Sequence, residues 1–192
     1  MSPDPFDEFT LWFEQAKLSE PSDFDAVAFA TALADGRPSV RMVLMRAYDR
    51  RGFVFYTNLD SRKTHEMTEN PYAAMCFHWK STDRQIRIEG SVGLVSDAEA
   101  DAYFSTRPYE SQIGAWASKQ SQVLDERSTL ETRVAKYEQR YPDGQVPRPD
   151  FWSGYRLIPE NFEFWDRRPH RLHERTLYSR DGDGWRYVKL YP

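Results

Sequence analysis

The chain has 192 residues and a formal net charge of −4, long enough to bury a proper core in one large domain or two small ones. Twelve Phe, eleven Tyr and six Trp exclude a disordered chain, and the mildly acidic balance lacks the broad basic face of a nucleic-acid binder. The single cysteine, Cys76, rules out an intrachain disulfide, no apolar run approaches membrane-spanning length, and the opening MSPDPFDEF is acidic rather than signal-like, so the expectation is a cytoplasmic protein off the membrane.

Residues 6–18 carry apolar side chains at helical spacing, and the segment 1–20 is expected to hold a short amphipathic helix. The apolar run 26–34 precedes Asp35-Gly36, a hairpin signal that makes 39–47 the partner strand. A turn at Asp49–Gly52 leads into the strand FVFYTN, and a helix runs from Ser61 to Asn70, where Pro71 stops it. Strands YAAMCFHWK and RQIRIEGSVGLV follow, the second bent at Gly90 or Gly93, which completes a barrel core over 26–95. From Ser96 the period turns helical through 141. A capping box, Ser96 with Glu99, opens a helix to about Arg107, and a second, Ser128 with Glu131, opens one whose stripe is Leu130, Val134, Tyr137 and Tyr141. The Pro-rich YPDGQVPRPD reads as a surface connection to the C-terminal strands of 151–192: FWSGYRLI, NFEFWD and WRYVKLY, with RTLYSR and a DGDG turn before the last. The whole predicts a single α+β domain, 1–192, around an antiparallel barrel with flanking helices.

No CxxC, HExxH, GxSxG, GxxxxGK or GxGxxG pattern occurs, and no carboxylate or thiol group completes a metal site around His170 and His173. Redox chemistry would therefore need an organic cofactor. Three polar constellations remain. In the first, Arg41, Arg46, Arg62 and Lys63 flank two strands and the first turn of a helix. Cations there oppose the helix macrodipole, and a bound phosphate would relieve the conflict. A solvated hairpin edge would also carry such arginines, but Arg41 and Arg46 differ in strand parity, so at least one points inward or sits at a strand end. In the second, Tyr103, Arg107 and Ser111 lie four apart and would share a helix face around another anion, although Pro108 interrupts the helix and a surface salt bridge accounts for the pattern equally. In the third, Arg171, His173 and Arg175 alternate and on an extended segment would face one way, toward an anionic ligand or toward solvent on an edge strand. Gln120 and Ser121 suit the edge of a heterocycle and Trp165 a stacking face, as each also suits ordinary packing.

RMVLMR, FVFYTNLDSRK, DRQIRIEG, YFSTRPYESQIGAWASKQS, FWSGYRL, EFW and HRLHER occur in this order and spacing in the pyridoxamine (pyridoxine) 5′-phosphate oxidases, which the chain resembles from about Asp4 to Pro192. The resemblance implies a split β-barrel flavoprotein, homodimeric, with FMN at the subunit interface. It implies FMN contacts from Arg41, Tyr56, Thr57, Arg62, Lys63, Gln85, Gln120, Ser121, Trp165 and Arg175. Arg46, Tyr103, Arg107, Ser111, Arg171 and His173 would hold a phosphorylated pyridine, with Arg171 and His173 over its ring as the catalytic pair. The implied reaction consumes O₂ and oxidises the pyridine substrate at C4′ to pyridoxal 5′-phosphate, releasing hydrogen peroxide, and ammonia from the amine. Two departures stand out: Arg46 replaces the family's usual Lys, and Thr106 replaces the Ser before Arg107. The N-terminus is also shorter than in longer relatives, which would reduce any lid. The rivals are a phenazine-type oxidase of the same superfamily and a non-catalytic flavin or pyridoxal phosphate carrier.

Overall fold

In the computed structural model, which describes residues 4–192, the chain opens with α1 (Pro5–Ser19). The first three residues of the expected 1–20 segment lie outside the described ones. Asp4 caps α1 by accepting the Phe6 N–H at 2.9 Å, and Pro5 takes the first helical position, where its missing N–H costs nothing. Phe6, Phe9, Trp12 and Phe13 drive into the sheet's interior against Phe53, Phe77, Trp79 and Phe162. Each aromatic so buried contributes roughly 1.5–3 kcal/mol, which makes the helix a plug rather than an appendage.

Nine strands form one antiparallel sheet: β1 (Ala26–Ala32), β2 (Pro38–Leu44), β3 (Ala47–Asp49), β4 (Gly52–Asn58), β5 (Tyr72–Trp79), β6 (Arg84–Leu94), β7 (Trp152–Asp166), β8 (Glu174–Asp181) and β9 (Gly184–Leu190). Their order is β2-β1-β5-β6-β7-β4-β3, with β8 on β7 and β9 on β8. The two ends of that path, β2 and β3, are successive pieces of one extended segment. β2 pairs with β1, the chain turns at Met45 and Arg46, and the Arg46 N–H donates to Val54 O at 2.8 Å as β3 joins β4. The single strand expected over 39–47 is thus broken because it changes neighbours, and that change curls the sheet into a barrel.

A second correction concerns β7. The two strands expected at 151–158 and 161–166 are one, and the segment RTLYSR between them and the last strand belongs to a further strand, β8. A bulge lets Pro159 sit within β7: the register with β6 shifts between Glu89 and Gly90, leaving Glu160 unpaired. β7 changes its second neighbour there, pairing with β4 up to Leu157 and with β8 from Asn161. Of the two glycines expected to bend β6, Gly90 is the one the fold requires, since a Cβ there would lie 2.0 Å from the Ile158 carbonyl oxygen, whereas Gly93 faces open space.

The helices behave less simply than their patterns. α2 (Arg62–Glu69) begins after Ser61, as read. The expected helix to Arg107 ends at Ser105 as α3 (Asp97–Ser105), and a separate α4 (Tyr109–Ala117) starts after Pro108. Ser96 does cap α3, accepting the Glu99 N–H at 3.2 Å. The second capping box does not form: α5 (Arg127–Arg140) starts two residues earlier, with Glu126 in place of Ser128 at the N-cap, and Ser128 Oγ donates instead to Glu126. Val134, Tyr137 and Tyr141 of the expected stripe pack with Phe104, Ile113, Val146 and Trp152 into a second cluster outside the barrel. No helix among the described residues is long and apolar enough to cross a membrane.

Candidate active site

The barrel's corner, the start of α2 and the helical layer enclose a cleft of about 1050 Å³. Eleven of the residues singled out from the sequence line it: Arg41, Arg46, Tyr56, Thr57, Arg62, Lys63, Tyr103, Arg107, Ser111, Gln120 and Ser121. The parity argument for the two arginines resolves both ways at once. Arg41 points in from β2, donating to Phe29 O at 3.2 Å and Thr31 Oγ1 at 2.6 Å, while Arg46 sits at the corner and pairs with Asp25 at 2.9 Å.

Lys63 is the most constrained cation. It is only 7% exposed, and its ammonium donates to three neutral oxygens: Thr57 Oγ1 (2.9 Å), Ser61 Oγ (3.1 Å) and Gln120 Oε1 (3.0 Å). Burial and the nearby Arg41 bring its pKa down to about 8, with Glu66 opposing them. Across the cleft the Arg107 guanidinium sits over Trp152, its Cζ 4.8 Å from the ring centroid, and its buried Nη1 has no hydrogen-bond partner. Burial lowers its pKa and the charge of Arg46 lowers it further, while Tyr103 acts the other way. Tyr56, Tyr103 and Trp152 form a parallel stack that walls this end, with Tyr56 and Tyr103 centroids 3.9 Å apart. Burial first, then Glu99 and Tyr103, push the Tyr56 phenol up to about 12, so it stays neutral. Although Pro108 breaks the helix, Tyr103, Arg107 and Ser111 still line one wall, because the α3–α4 corner turns them together.

The remaining five candidates lie elsewhere. Trp165, Arg171 and His173 line a second cleft of about 710 Å³, with Gln85 and Arg175 paired to Trp165 across the sheet. The expected extended row Arg171, His173, Arg175 does not form. Pro169–Arg171 is a 3-10 turn, and His170 and Arg171 both hold left-handed backbone (φ +57° and +63°), a strained pair for non-glycine residues. The His173 ring rests 4.6 Å from that of Trp165, and its Nδ1 accepts the Arg168 N–H at 3.2 Å. Arg175 turns to the buried Glu163 at 2.8 Å. Thr57 pairs with Ser153 at one end of β7 and Gln85 with Trp165 at the other, roughly 40 Å of strand path at ~3.3 Å per residue.

Residues 13–141 match the family model described as pyridoxamine 5′-phosphate oxidase, and residues 152–192 match that of the pyridoxine 5′-phosphate oxidase C-terminal dimerisation region. The chain belongs to the pyridoxamine 5′-phosphate oxidase family. It is 57% identical to the pyridoxine/pyridoxamine 5′-phosphate oxidase of Gluconobacter oxydans, over 98% of this chain and 94% of that protein. It is 58% identical to the protein of the same name from Sphingopyxis alaskensis, over 100% and 89%. Among solved structures, PhzG from Burkholderia lata, determined with tetrahydrophenazine-1-carboxylic acid, superposes with a TM-score of 0.94 at 34% identity, covering 100% of this chain and 94% of that one. An FMN-binding protein from Nostoc punctiforme shares the fold (TM-score 0.79, 19% identity, 100% of both chains).

Three residues of this oxidase-family chain shape the cleft yet escaped the sequence reading. Glu66 is 1% exposed and accepts hydrogen bonds from Thr31, Ser39, Arg41 and Arg62. Its only sequence signal is the i, i+4 spacing from Arg62, which is too common to single out. Trp152 carries Arg107 and reads as one more core aromatic. Asp25 holds Arg46 from twenty-one positions away, a pairing no local pattern encodes.

Proposed function

We propose that this chain is an FMN-dependent oxidase that converts pyridoxamine 5′-phosphate or pyridoxine 5′-phosphate to pyridoxal 5′-phosphate, with O₂ as the final acceptor and hydrogen peroxide as a product, and ammonia released from the amine. The observation that carries the reading is a pair of cations in one cleft with no carboxylate partner: Lys63, hydrogen-bonded only to neutral oxygens, and Arg107, with an orphaned Nη1. A buried cation without an anion is costly, so each calls for a ligand phosphate, and two such places fit one phosphate on a cofactor and one on a substrate.

The residues fit FMN. Arg41 from β2, with Arg62 and Lys63 at the start of α2, would take its phosphate, Tyr56, Thr57, Gln120 and Ser121 its polar edges, and Gln85, Trp165 and Arg175 its far side. When bound, FMN supplies the two-electron acceptor and the reaction with O₂, which no side chain here provides. The protein's part is positioning. Arg46, Arg107, Tyr103 and Ser111 hold the substrate phosphate, and Arg171 and His173 orient C4′ and accept or return a proton at the imidazole. Because the two sets of residues sit far apart along β7, the reading takes the chain as a homodimer in which each site draws all five of the second cleft's candidates, Gln85, Trp165, Arg171, His173 and Arg175, from the partner. The match of 152–192 to a dimerisation region and the exposed apolar row Val40, Met42 and Leu44 beside the first cleft support that assembly. All of 1–192 then acts as one FMN-binding unit, in the cytoplasm.

The likeness to PhzG favours one second reading, an oxidase of a phosphate-free ring. Arg107 weighs against it, since such a substrate leaves that guanidinium unmatched. An absorbance spectrum followed by anaerobic addition of pyridoxamine 5′-phosphate decides between them. Flavin bands that bleach and return with air are the expected result. Bands that persist would move the assignment to the phenazine-type oxidase or a carrier, and a protein that takes up no FMN would overturn both oxidase readings.

A further inference from the structure

Glu66 is buried directly behind the proposed cofactor-phosphate site, bonded to two of its cations, although it carries the wrong charge for a phosphate. Its carboxylate accepts from Arg41 Nη2 at 3.0 Å, Arg62 Nε at 2.8 Å, Thr31 Oγ1 at 2.5 Å and Ser39 Oγ at 2.7 Å. Thr31 and Ser39 also accept from Arg41, at 2.6 and 2.5 Å, so the guanidinium is held along several edges at once. Burial alone would raise the pKa of Glu66, but these hydrogen bonds outweigh it and hold the group at about 2, ionised throughout the working range. If the site needed only positive charge, a buried carboxylate against its cations would weaken it. A geometric role accounts for it better. Arg62 is two-thirds exposed, and a free arginine loses its rotamer freedom when it is immobilised. With Glu66 in place that ordering is complete before a ligand arrives.

We propose that Glu66 is a positioning residue for the flavin phosphate: it preorganises the Arg41 and Arg62 forks and trims the site to the charge of a phosphate monoester dianion. Three cations (Arg41, Arg62, Lys63) and one carboxylate leave two positive charges facing that dianion. The inference rests on the FMN reading above.

The test is the ratio of FMN to riboflavin affinity, which isolates the phosphate because the two flavins differ only there. Both are titrated into flavin-stripped full-length protein and followed by quenching of flavin fluorescence, for the wild type, Glu66→Gln and Ser39→Ala. Glu66→Gln is expected to weaken FMN by on the order of ten- to a hundredfold, the range of one or two charge-assisted hydrogen bonds, and to leave riboflavin within about twofold. Simple electrostatics predicts the opposite sign, since the variant loses a negative charge beside the phosphate. FMN binding that is unchanged or tighter overturns the proposal, as does an equal loss of both flavins, which would make Glu66 merely structural. Should Glu66→Gln fail to fold, Ser39→Ala decides: it is expected to lower the FMN-to-riboflavin ratio by about three- to tenfold, and an unchanged ratio overturns the proposal. A wild type that binds neither flavin removes the FMN reading itself, a different failure from a wild type that binds FMN beside a variant that binds it as well.

Discussion

At the scale of single residues, the cleft is defined by cations with incomplete surroundings. Arg107 has Trp152 beneath it and an N–H with nowhere to go, so its removal should be read in substrate binding alone. In steady-state assays Arg107→Ala should raise the KM for pyridoxamine 5′-phosphate on the order of a hundredfold, the loss of a bidentate charge-assisted contact, while the protein purifies yellow. A colourless variant would place Arg107 in the flavin site instead. Lys63 makes a pH prediction. Its folded pKa of about 8 lies below the ordinary 10.5, so between these values the unfolded chain holds a proton that the empty folded protein has lost. Stability of the flavin-free protein from this group therefore rises with pH across that window. Bound phosphate restores the charge, so FMN binding near pH 9 should take up about one proton per site and weaken as pH rises further. Calorimetry in two buffers of different ionisation enthalpy measures the uptake, and Lys63→Met should abolish it.

At the scale of elements, two irregularities place the site. The break at Met45–Arg46 lets one segment serve both ends of the sheet, and it sets Arg41 and Arg46 on different walls of one cleft. The bulge opposite Gly90 lets β7 carry Pro159 and trade β4 for β8. Gly90→Ala drives a Cβ onto the Ile158 carbonyl and should cost roughly 2–4 kcal/mol, seen as a Tm lower by about 10 °C. Gly93→Ala, three residues on and facing open space, should leave Tm nearly unchanged. Equal effects at the two positions would show that the bulge is not what the glycine serves. The element boundaries read from sequence were sound where local chemistry decides them, as with the Asp35-Gly36 turn, the Ser96 cap and the start of α2 at Ser61. They failed where a strand's neighbours decide, as in β2–β3 and β7, because hydrophobic alternation records burial and carries no record of the pairing partner.

At the scale of the whole molecule, the proposed sharing of each site between two protomers can be tested directly. If each site takes Arg107 from one protomer and His173 from the other, Arg107→Ala and His173→Ala homodimers are both impaired. Unfolding and refolding them together makes hybrids with one intact site, and activity should recover to about a quarter of wild type at equal mixing. No recovery, with hybrids shown to form, would place both residues in a single-chain site.

By itself the sequence determined which side chains are chemically available: the two basic groupings, the lack of any metal or thiol redox motif, the helix that begins on cations, and the family that RMVLMR, SQIGAWASKQS and RLHER mark. These are matters of residue type and short spacing, which a linear pattern stores directly. Tertiary structure alone decided who meets whom. It put Asp25 on Arg46 and Glu66 between Arg41 and Arg62, slid Trp152 under Arg107, turned His170 and Arg171 into a strained corner instead of a strand, and parted the candidates into two clefts. The reason is physical: an ion pair or a cation–π contact is set by where strands curl and helices stop. Those outcomes come from the free energy of the whole packed chain, to which no short stretch of sequence has sole title.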